Sequence, residues 1–303
     1  MRNRRLHVWP EWCRKPSRLI SPASGVSDSR SGGGARGIPW SAVERASTGV
    51  RTVAVTRYVT PLREGGSLPA IVEADDEGLY VLKFRGAGQG ARALIAELVA
   101  GELARTLGLP VPEIAFAKLD PDLARTEPDP EIHALIHDSA GLNLAIDYLP
   151  GSVTYDPVVH RLPPDLASRI VWFDAFVTNV DRTPRNTNML MWHREPWLID
   201  HGATLYFHHS PGWEADADRP RRPFPAIAEH VLLRQATMLE EADPLMAGAL
   251  NQTVIEQIVA LIPDPWLQSD GLLSGPARAA YARYLLARLA APRVFVEEAA
   301  RAR

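Results

Sequence analysis

The sequence predicts an α+β protein in which a small, β-rich lobe precedes a larger, mostly helical lobe. Segments typical of β-strands, rich in β-branched residues, lie mainly between residues 50 and 150. From residue 163 onward the 3.6-residue period of amphipathic helices dominates. A third region, residues 179–202, concentrates polar side chains within the helical part. This region is the candidate functional site.

Length and composition are those of an ordinary globular protein. The chain has 303 residues, of which 46% are hydrophobic and 23% charged, enough for one bilobal unit or two domains. Its formal net charge of −3 gives no reason to expect a polyanion-binding surface, so binding to nucleic acid is not expected. The single cysteine, Cys13, excludes an internal disulfide and a cysteine-based zinc site.

The same features predict a cytoplasmic protein without membrane contact. One cysteine is typical of a reducing compartment. No apolar run approaches the ~20 residues of a membrane span. The basic first five residues are not followed by an apolar signal-peptide core, so secretion is not expected.

Residues 1–48 are predicted to be a disordered basic tail. They contain nine basic and three acidic residues, a glycine-rich stretch at 31–35 and no sustained period. A docking arm, a nucleic-acid contact and a translation start placed too far upstream are the alternatives. The predicted organisation is therefore a tail (1–48), a β-rich lobe (49–150) and a helical lobe (151–303).

The β-rich lobe is predicted to contain three strands, a helix and two further strands. Its helix, about 90–106, places Leu94, Ile95, Leu98 and Leu103 at helical spacing and is closed by Gly108 and Pro110. The Pro- and Asp-rich segment 120–130 is predicted to be a loop. The predicted strands are 50–59, 70–73, 79–84, 111–119 and 142–149.

The helical lobe is predicted to contain one β-hairpin among its helices. Residues 188–192 and 197–199 are typical of short strands, and residues 193–196 of the turn between them. The predicted helices are 165–177, 227–240, 252–262 and 276–290.

Three polar residues flank this hairpin. Asp181 is followed by Asn186, and Asp200 comes directly after the returning strand. The two strands of a hairpin have similar lengths, so its two ends lie close together. We therefore expect Asp200 to lie close to Asn186, with Asp181 directed toward both. Carboxylate and amide oxygens are the ligands that Mg²⁺ prefers, and phosphoryl transfer needs a further group to orient the attacking hydroxyl. The arrangement predicts Mg²⁺-dependent phosphoryl transfer.

Lys83 is the second informative residue. Lysine occurs at only three positions, 15, 83 and 118, among 33 basic residues, and Lys83 lies within an apolar strand. An ammonium is a compact charge that can reach a phosphate from a narrow place, whereas a guanidinium is broader and planar. An edge-strand lysine that extends to water is the structural alternative. Together with the polar residues downstream, the pattern favours phosphate binding.

The motif Asp181-x-x-x-x-Asn186, followed by a hairpin and Asp200-His-Gly, resembles the catalytic loop and metal-binding Asp of the protein-kinase-like fold. Asn179-Val-Asp181 stands in place of His-Arg-Asp, and Asp200-His-Gly in place of Asp-Phe-Gly, which is most similar to the HipA-type bacterial kinases and the phosphoinositide-kinase branch. The resemblance spans roughly residues 50–300. It implies a bilobal protein-kinase-like fold and an ATP- and Mg²⁺-dependent kinase acting on a Ser or Thr hydroxyl of a protein.

The resemblance implies a role for each polar residue. Lys83 would hold the α- and β-phosphates of ATP, with a helix acid positioning it. Asp200 and Asn186 would bind Mg²⁺, and Asp181 would accept or orient the proton of the acceptor hydroxyl. Asn188 is the rival amide, ranked second because it follows Asp181 by seven residues rather than five.

Two acids on the first helix compete to position the lysine. Glu97 and Glu102 point about 140° apart at ~100° per residue, so at most one faces the strand. Glu97 is preferred because in HipA-like kinases the acid precedes a Leu-Ala pair by six residues, as Glu97 precedes Leu103-Ala104.

The resemblance also implies nucleotide contacts. Gly65, Gly66 and Ser67 lie between the first two strands, where kinase-like folds cover phosphates with backbone N–H groups; an ordinary hairpin turn is the alternative. The segment 142–151 resembles the hinge between the lobes, where the carbonyl of Asp147 and the N–H of Leu149 would meet adenine.

Parts of the sequence are also compatible with four other functions. A small-molecule or lipid-head-group kinase and a catalytically idle nucleotide- or partner-binding module share the same loop. Residues 86–91 match a dinucleotide-binding motif, but their strand carries Lys83 where a buried parallel strand is normally apolar. His201, His208 and His209 with the two aspartates suggest a two-metal hydrolase, which would leave Lys83 without a role. The segment 201–225 shows no interpretable acceptor pattern, and no toxin–antitoxin role is inferred.

Overall fold

The first five strands of the protein close into a small barrel. The computed structural model describes residues 49–62, 68–88, 90–269 and 271–303. The predicted tail 1–48 and the residues Gly65, Gly66 and Ser67 lie outside the described residues. The barrel strands are β1 (Thr52–Pro61), β2 (Ala70–Ala74), β3 (Leu79–Lys83), β4 (Ile114–Leu119) and β5 (Gly141–Asp147). Their order is β1-β2-β3-β5-β4, antiparallel except where β4 closes on β1 in parallel.

Alternating side chains explain how the barrel is filled and where Lys83 points. Tyr80 and Leu82 of β3 belong to the buried cluster inside the barrel. Because side chains alternate along a strand, Lys83 at the end of β3 points to the opposite face. That face is turned toward the first helix, α1 (Ala91–Thr106), which follows β3 in the sequence.

Helix α1 is buried along most of its surface. Eleven of its residues are buried, which fits a helix covered on more than one side rather than a surface helix. Gly101 allows close contact with β4, because a Cβ atom there would lie 2.3 Å from the Cδ1 atom of Ile114. Gly108, at φ +70°, adopts the left-handed conformation that ends many helices.

Helix α2 (Pro130–Asp138) lies between β4 and β5 and packs on the barrel, because its residues Ile132 and Ile136 belong to the same buried cluster as the barrel strands. The helices after the barrel are α3 (Pro164–Phe176), α4 (Leu239–Gly248), α5 (Gln252–Ala260), α6 (Asp264–Ser269), α7 (Ser274–Leu289) and α8 (Val294–Ala302). Three short strands, β6 (Val153–Thr154), β7 (Met189–Trp192) and β8 (Glu195–Leu198), form an antiparallel sheet. Trp172 and Phe176 of α3 stack at 5.3 Å within the main core. No helix in the described ranges is long and apolar enough to cross a membrane.

The segment 120–130 differs from the prediction made from the sequence, and β6, α6 and α8 were not predicted. The predicted loop 120–130 contains a 3-10 helix, Pro121–Thr126, and α2 follows it directly. The Asp129 side chain accepts the N–H of Glu131 and so caps α2, which means that the Asp and Pro residues of this segment start a helix rather than mark only a loop.

The predicted helix 227–240 is wrong. Two 3-10 turns, Pro225–Glu229 and Leu233–Gln235, occupy this segment, and α4 starts only at Leu239. The apolar residues 227 and 231–233 are buried, so their helix-like spacing reflects packing of an irregular chain. His230 also contributes, because its Nδ1 atom accepts the N–H of Leu232 and holds a non-helical turn.

The five predicted barrel strands, α1 and the hairpin are present with small shifts of their bounds. Residues Val50–Arg303 form one unit. The boundary between two lobes at residues 150 and 151 stays a prediction.

Candidate active site

Lys83 joins three elements that are distant in sequence. Its Nζ atom lies 2.7 Å from Oδ1 of Asp200 and 3.5 Å from Oε2 of Glu97. Glu97 is 2% exposed on α1, whereas the Asp200 side chain is 43% exposed after β8. The barrel, α1 and the hairpin therefore meet at this ammonium group.

The charges of this cluster are mutually stabilised. Burial alone would lower the pKa of Lys83, but the carboxylates of Glu97 and Asp200 raise it above its ordinary value. Burial alone would raise the pKa of Glu97, but Lys83 and then His201 lower it. Lys83 and Glu97 are therefore both charged at neutral pH, which suits a site that binds an anion through the ammonium.

Of the two candidate acids on α1, Glu97 is the one that contacts Lys83. Glu102 instead lies 3.4 Å from Nε of Arg105, one turn further along α1. Burial raises the pKa of Glu102, an effect that Arg105 partly offsets. The two acids thus have different partners and opposite pKa shifts.

The second group of polar residues lies in the loop after α3. Oδ2 of Asp181 accepts hydrogen bonds from Nδ2 of Asn186 at 2.7 Å and from Nδ2 of Asn188 at 3.1 Å. Asn186 is exposed, whereas Asn188 is buried and also donates to the carbonyl of Asp181 at 3.3 Å. Both amides contact Asp181, so the spacing of five or seven residues does not separate them.

The hairpin connects this loop to Asp200 as the sequence indicated. Met189 of β7 pairs with Leu198 of β8, and the N–H of Ile199 donates to the carbonyl of Asn188 at 3.0 Å. Asp200 therefore directly follows a residue that is bonded to Asn188. This backbone hydrogen bond is the link between the loop and Asp200, and the closeness of the Asp200 and Asn186 side chains stays a prediction.

Three non-glycine residues at the joints of this region adopt left-handed backbone conformations. They are Thr178 at φ 54°, Asn188 at 46° and Asp200 at 54°. Asn and Asp tolerate this conformation, whereas for the β-branched Thr178 it is a genuine outlier. Such strained residues cluster at functional sites, where the surrounding structure holds them.

A buried polar network below the loop was not anticipated from the sequence. Asp174 of α3 is 0% exposed and contacts Asn179, Arg182 and His230. The signal was present in the sequence, because an acid inside the apolar helix 165–177 needs a partner.

The segment after Asp200 packs tightly on α1 and α7. His201 lies 3.5 Å from Oε1 of Glu97, and the Arg92 side chain donates to the carbonyl of His208. The ring of Phe207 stacks on Tyr284 of α7 with centroids 3.5 Å apart. The segment that would face an acceptor is thus ordered by contacts with the rest of the protein.

The three histidines of this segment have separate environments. His201 lies beside Glu97, whereas Nδ1 of His208 is 3.0 Å from the Tyr281 hydroxyl and its Nε2 is 3.1 Å from Nε2 of His209. Among the residues that the structure describes, no group of three or more His, Cys, Asp and Glu side chains could hold a metal ion. The geometry therefore gives no support to a two-metal hydrolase.

The candidate nucleotide contacts are placed only in part. Asp147 ends β5, where its N–H donates to the carbonyl of Glu113, and Leu149 is buried two residues later. The dinucleotide-binding alternative does not fit, because β3 pairs antiparallel with β2 and with β5, whereas that motif needs a parallel β-α-β unit.

The donor set at the site suits a hard divalent cation. Asp200 offers a half-exposed carboxylate, and Asn186 offers an amide oxygen because its nitrogen already donates to Asp181. Oxygen ligands of this kind are typical of magnesium and manganese sites.

The comparison with protein families identifies the chain as a kinase, a phosphotransferase. The chain belongs to the HipA-like kinase family, whose family model matches residues 55–293. The comparison with curated proteins gives no match.

Three solved structures illustrate what the fold is similar to. The crystal structure of CtkA, a proinflammatory kinase of Helicobacter pylori, has a TM-score of 0.49 and 13% identity over 77% of this chain and 94% of that chain. The Golgi casein kinase with Mn/ADP bound has a TM-score of 0.43 and 11% identity over 80% of this chain and 73% of that chain. A second Golgi casein kinase structure has a TM-score of 0.43 and 11% identity over 84% and 74%.

Proposed function

We propose that this kinase transfers the γ-phosphoryl group of ATP, with Mg²⁺, to a Ser or Thr hydroxyl of a protein. The observation that carries the proposal is the contact of Lys83 with Asp200 at 2.7 Å and with Glu97 at 3.5 Å. These residues belong to three separate elements and form a buried, charged cluster that stability alone does not favour, since buried ion pairs are at best weakly stabilising. We further propose that residues 49–150 and 151–303 form the two lobes of the kinase.

In this proposal Lys83 binds the α- and β-phosphates and Glu97 holds the ammonium in place. The exposure of the Asp200 side chain next to the buried Glu97 gives the cluster one open side. Gly65, Gly66 and Ser67 are assigned to the phosphates through their backbone N–H groups. The carbonyl of Asp147 and the N–H of Leu149 are assigned to adenine.

Asp200 and Asn186 are the residues proposed to hold Mg²⁺. When bound, the cation supplies positive charge that neutralises the transferring phosphate. The protein contributes oxygen ligands at fixed places, because the Asn186 amide is oriented by its hydrogen bond to Asp181.

Asp181 is the residue proposed to accept the proton of the acceptor hydroxyl. Its Oδ2 atom carries both amide contacts, at 2.7 Å from Asn186 and 3.1 Å from Asn188. We assign Oδ1 to the hydroxyl for that reason. A carboxylate oriented in this way can place the attacking oxygen, which is the main requirement of phosphoryl transfer.

The test is incubation of the full chain with radiolabelled ATP and Mg²⁺, alone and with lysate fractions, followed by separation of protein from small molecules. Label on a protein that survives neutral hydroxylamine, which cleaves acyl phosphates, and that is recovered as phosphoserine or phosphothreonine after acid hydrolysis supports the proposal. Label in small-molecule or lipid fractions indicates the alternative kinase. No label anywhere, with ATP binding retained, indicates a nucleotide-binding module. Asp181→Asn serves as the control for contaminating kinases.

A further inference from the structure

The carboxylate of Asp174 is the centre of a buried hydrogen-bond network beneath the catalytic loop. Its Oδ2 atom lies 2.6 Å from Nε of Arg182 and 2.9 Å from Nε2 of His230. Its Oδ1 atom accepts the Asn179 amide at 2.8 Å. Arg182 is 1% exposed and His230 6% exposed, so water does not compete for these contacts.

Two of these partners hold opposite ends of the proposed active site. Asn179 accepts the backbone N–H of Asp181 through its Oδ1 atom at 3.0 Å. The Nη1 atom of Arg182 donates to the carbonyl of Asn188 and lies 3.5 Å from the carbonyl of Ile199, the residue before Asp200. One buried carboxylate therefore supports both Asp181 and Asp200.

The third partner, His230, lies at the end of the segment 201–230, which follows Asp200. Nδ1 of His230 accepts the N–H of Leu232 at 3.0 Å, so the proton lies on Nε2, which donates to Asp174. The N–H of Val231 donates to the carbonyl of Arg182 at 3.0 Å. The segment 201–230 is thus bonded to the catalytic loop and its network through residues 230 and 231.

The network contains a buried donor that has no partner in the described part of the chain, and this lowers the stability of the fold. Nη2 of Arg182 is buried and has no hydrogen-bond partner among the described residues. An unsatisfied buried donor costs about 1–3 kcal/mol. An apolar core at this place would avoid that cost, which favours a positioning role over a purely stabilising one.

From these contacts we propose that Asp174, Arg182 and His230 are positioning residues that fix Asp181 and Asp200 relative to each other. We further propose that this arrangement requires the segment 201–230 to pack against the catalytic loop. The catalytic effect rests on the proposed function, whereas the positioning itself does not depend on it. A substitution that weakens the contacts of any of these three side chains should change the positions of both Asp181 and Asp200.

A second ion pair in the helical part provides a matched control. Nε of Arg293 lies 2.6 Å from Oδ1 of Asp243, and Nη1 of Arg293 donates to the carbonyl of Leu289 at 3.1 Å. Arg182 likewise bonds a carboxylate through Nε and a carbonyl through Nη1. Arg293 differs in that its Nη2 atom also bonds Asp243, at 2.6 Å, and none of its described contacts involves the catalytic loop. Arg182→Lys and Arg293→Lys keep the charge, so neither leaves a carboxylate unpaired.

The experiment compares these two variants in hydrogen exchange and in kinetics. Arg182→Lys should accelerate amide exchange in both 179–188 and 199–205, whereas Arg293→Lys should not. In phosphoryl transfer, Arg182→Lys should lower kcat at least ~10-fold with the KM for ATP within about 3-fold, because geometry rather than nucleotide binding is altered. Arg293→Lys should keep kcat within about 2-fold.

A pair of uncharged variants tests the histidine. His230→Gln retains an N–H donor for Asp174, whereas His230→Phe removes it, so exchange at 179–188 should rise in His230→Phe and much less in His230→Gln. Equal exchange in Arg182→Lys and Arg293→Lys, or changes in His230→Phe confined to residues near 230, would overturn the proposal. A wild-type chain without phosphoryl transfer but with the expected exchange pattern would refute the proposed function and leave the positioning network standing.

Discussion

The two polar groups of the candidate site are held in place by different interactions. Lys83 and Glu97 sit on a strand and a helix, are buried, and are held by opposite charges, with the half-exposed Asp200 on their open side. Asp181 and Asn186 sit on a loop, are more exposed, and are joined by amide hydrogen bonds. The first group depends on regular secondary structure, whereas the second needs a separate buried network to fix its position.

This difference indicates where each group is vulnerable. Removing the Lys83 ammonium leaves the buried Glu97 without its cationic partner, a loss that costs about 3–5 kcal/mol in typical proteins. Replacing an exposed loop side chain costs little stability. We therefore expect substitutions in the loop to separate activity from folding most cleanly.

The largest effect on activity is expected at Asp181. Asp181→Asn should keep the fold and the affinity for ATP but lose most turnover, because a positioned proton acceptor contributes about 10²–10⁴-fold. Steady-state phosphoryl transfer, with nucleotide affinity from calorimetry, measures the separation. Turnover equal to that of the wild type would show that Asp181 is not the base, and the assignment of the loop would fall with it.

The next largest effect concerns the metal. Asp200→Ala should abolish the Mg²⁺-dependent part of ATP binding, and Asn186→Ala should weaken it less, because a carboxylate is the stronger ligand for a hard cation. ATP titrations with and without Mg²⁺ give this difference directly. If Asp200→Ala retains the wild-type dependence on Mg²⁺, the metal assignment is wrong.

Asn188→Ala is the matched comparison for Asn186→Ala. Asn188 is buried and bonds to both the carbonyl and the side chain of Asp181, so its loss should lower the melting temperature as well as kcat. Asn186 is exposed, so its loss should change metal dependence without a comparable loss of stability.

The elements that carry the lysine cluster were predictable because each has its own sequence signal. A strand-like apolar run predicts β3, apolar spacing predicts α1, and a rare lysine within that apolar strand marks the candidate site. The choice between Glu97 and Glu102 followed from helix geometry and from the family resemblance, and the structure pairs Glu97 with Lys83.

The buried network around Asp174, which supports the loop, could not be predicted from local sequence signals. Asp174 and His230 are 56 residues apart, and their contact depends on how an irregular segment packs rather than on any local period. The same irregularity explains the wrong helix prediction at 227–240, where the apolar spacing is helical but the His230 ring accepts the backbone N–H of Leu232 and bonds to Asp174. Tertiary hydrogen bonds overrode the local pattern.

The next prediction tests whether the lysine cluster is specific for an ammonium. Lys83→Arg should fold but lose at least ~10-fold in kcat/KM, about 1.4 kcal/mol, because the broader guanidinium does not fit between Glu97 and Asp200. Glu97→Gln should also lower activity, and the double variant should cost less than the sum of the single losses, since the side chains are in contact. Additive losses would contradict a functional pairing, and wild-type kinetics in Lys83→Arg would remove the case for phosphate binding.

The smallest effect on activity is expected at Glu102, where the sign of the pH dependence separates the two acids. The folded-state pKa of Glu97 is lowered, so its charge stabilises the protein above the unfolded pKa of about 4.3 and the stability is lost as pH falls toward the folded pKa. The folded-state pKa of Glu102 is raised, so its charge costs stability at neutral pH and the cost disappears as pH falls below about 4.3.

Glu102→Gln should therefore leave kcat unchanged and stabilise the protein slightly at pH 7, by no more than about 0.5 kcal/mol, with the gain vanishing in acid. Glu97→Gln should instead destabilise it at pH 7, and its difference from the wild type should shrink as the pH falls. Urea unfolding of both variants between pH 7 and about pH 2, the folded-state pKa of Glu97, measures the two slopes. Slopes of the same sign would mean that the two acids are in equivalent environments, and the distinction between a lysine-positioning acid and a neighbouring surface pair on α1 would have to be abandoned.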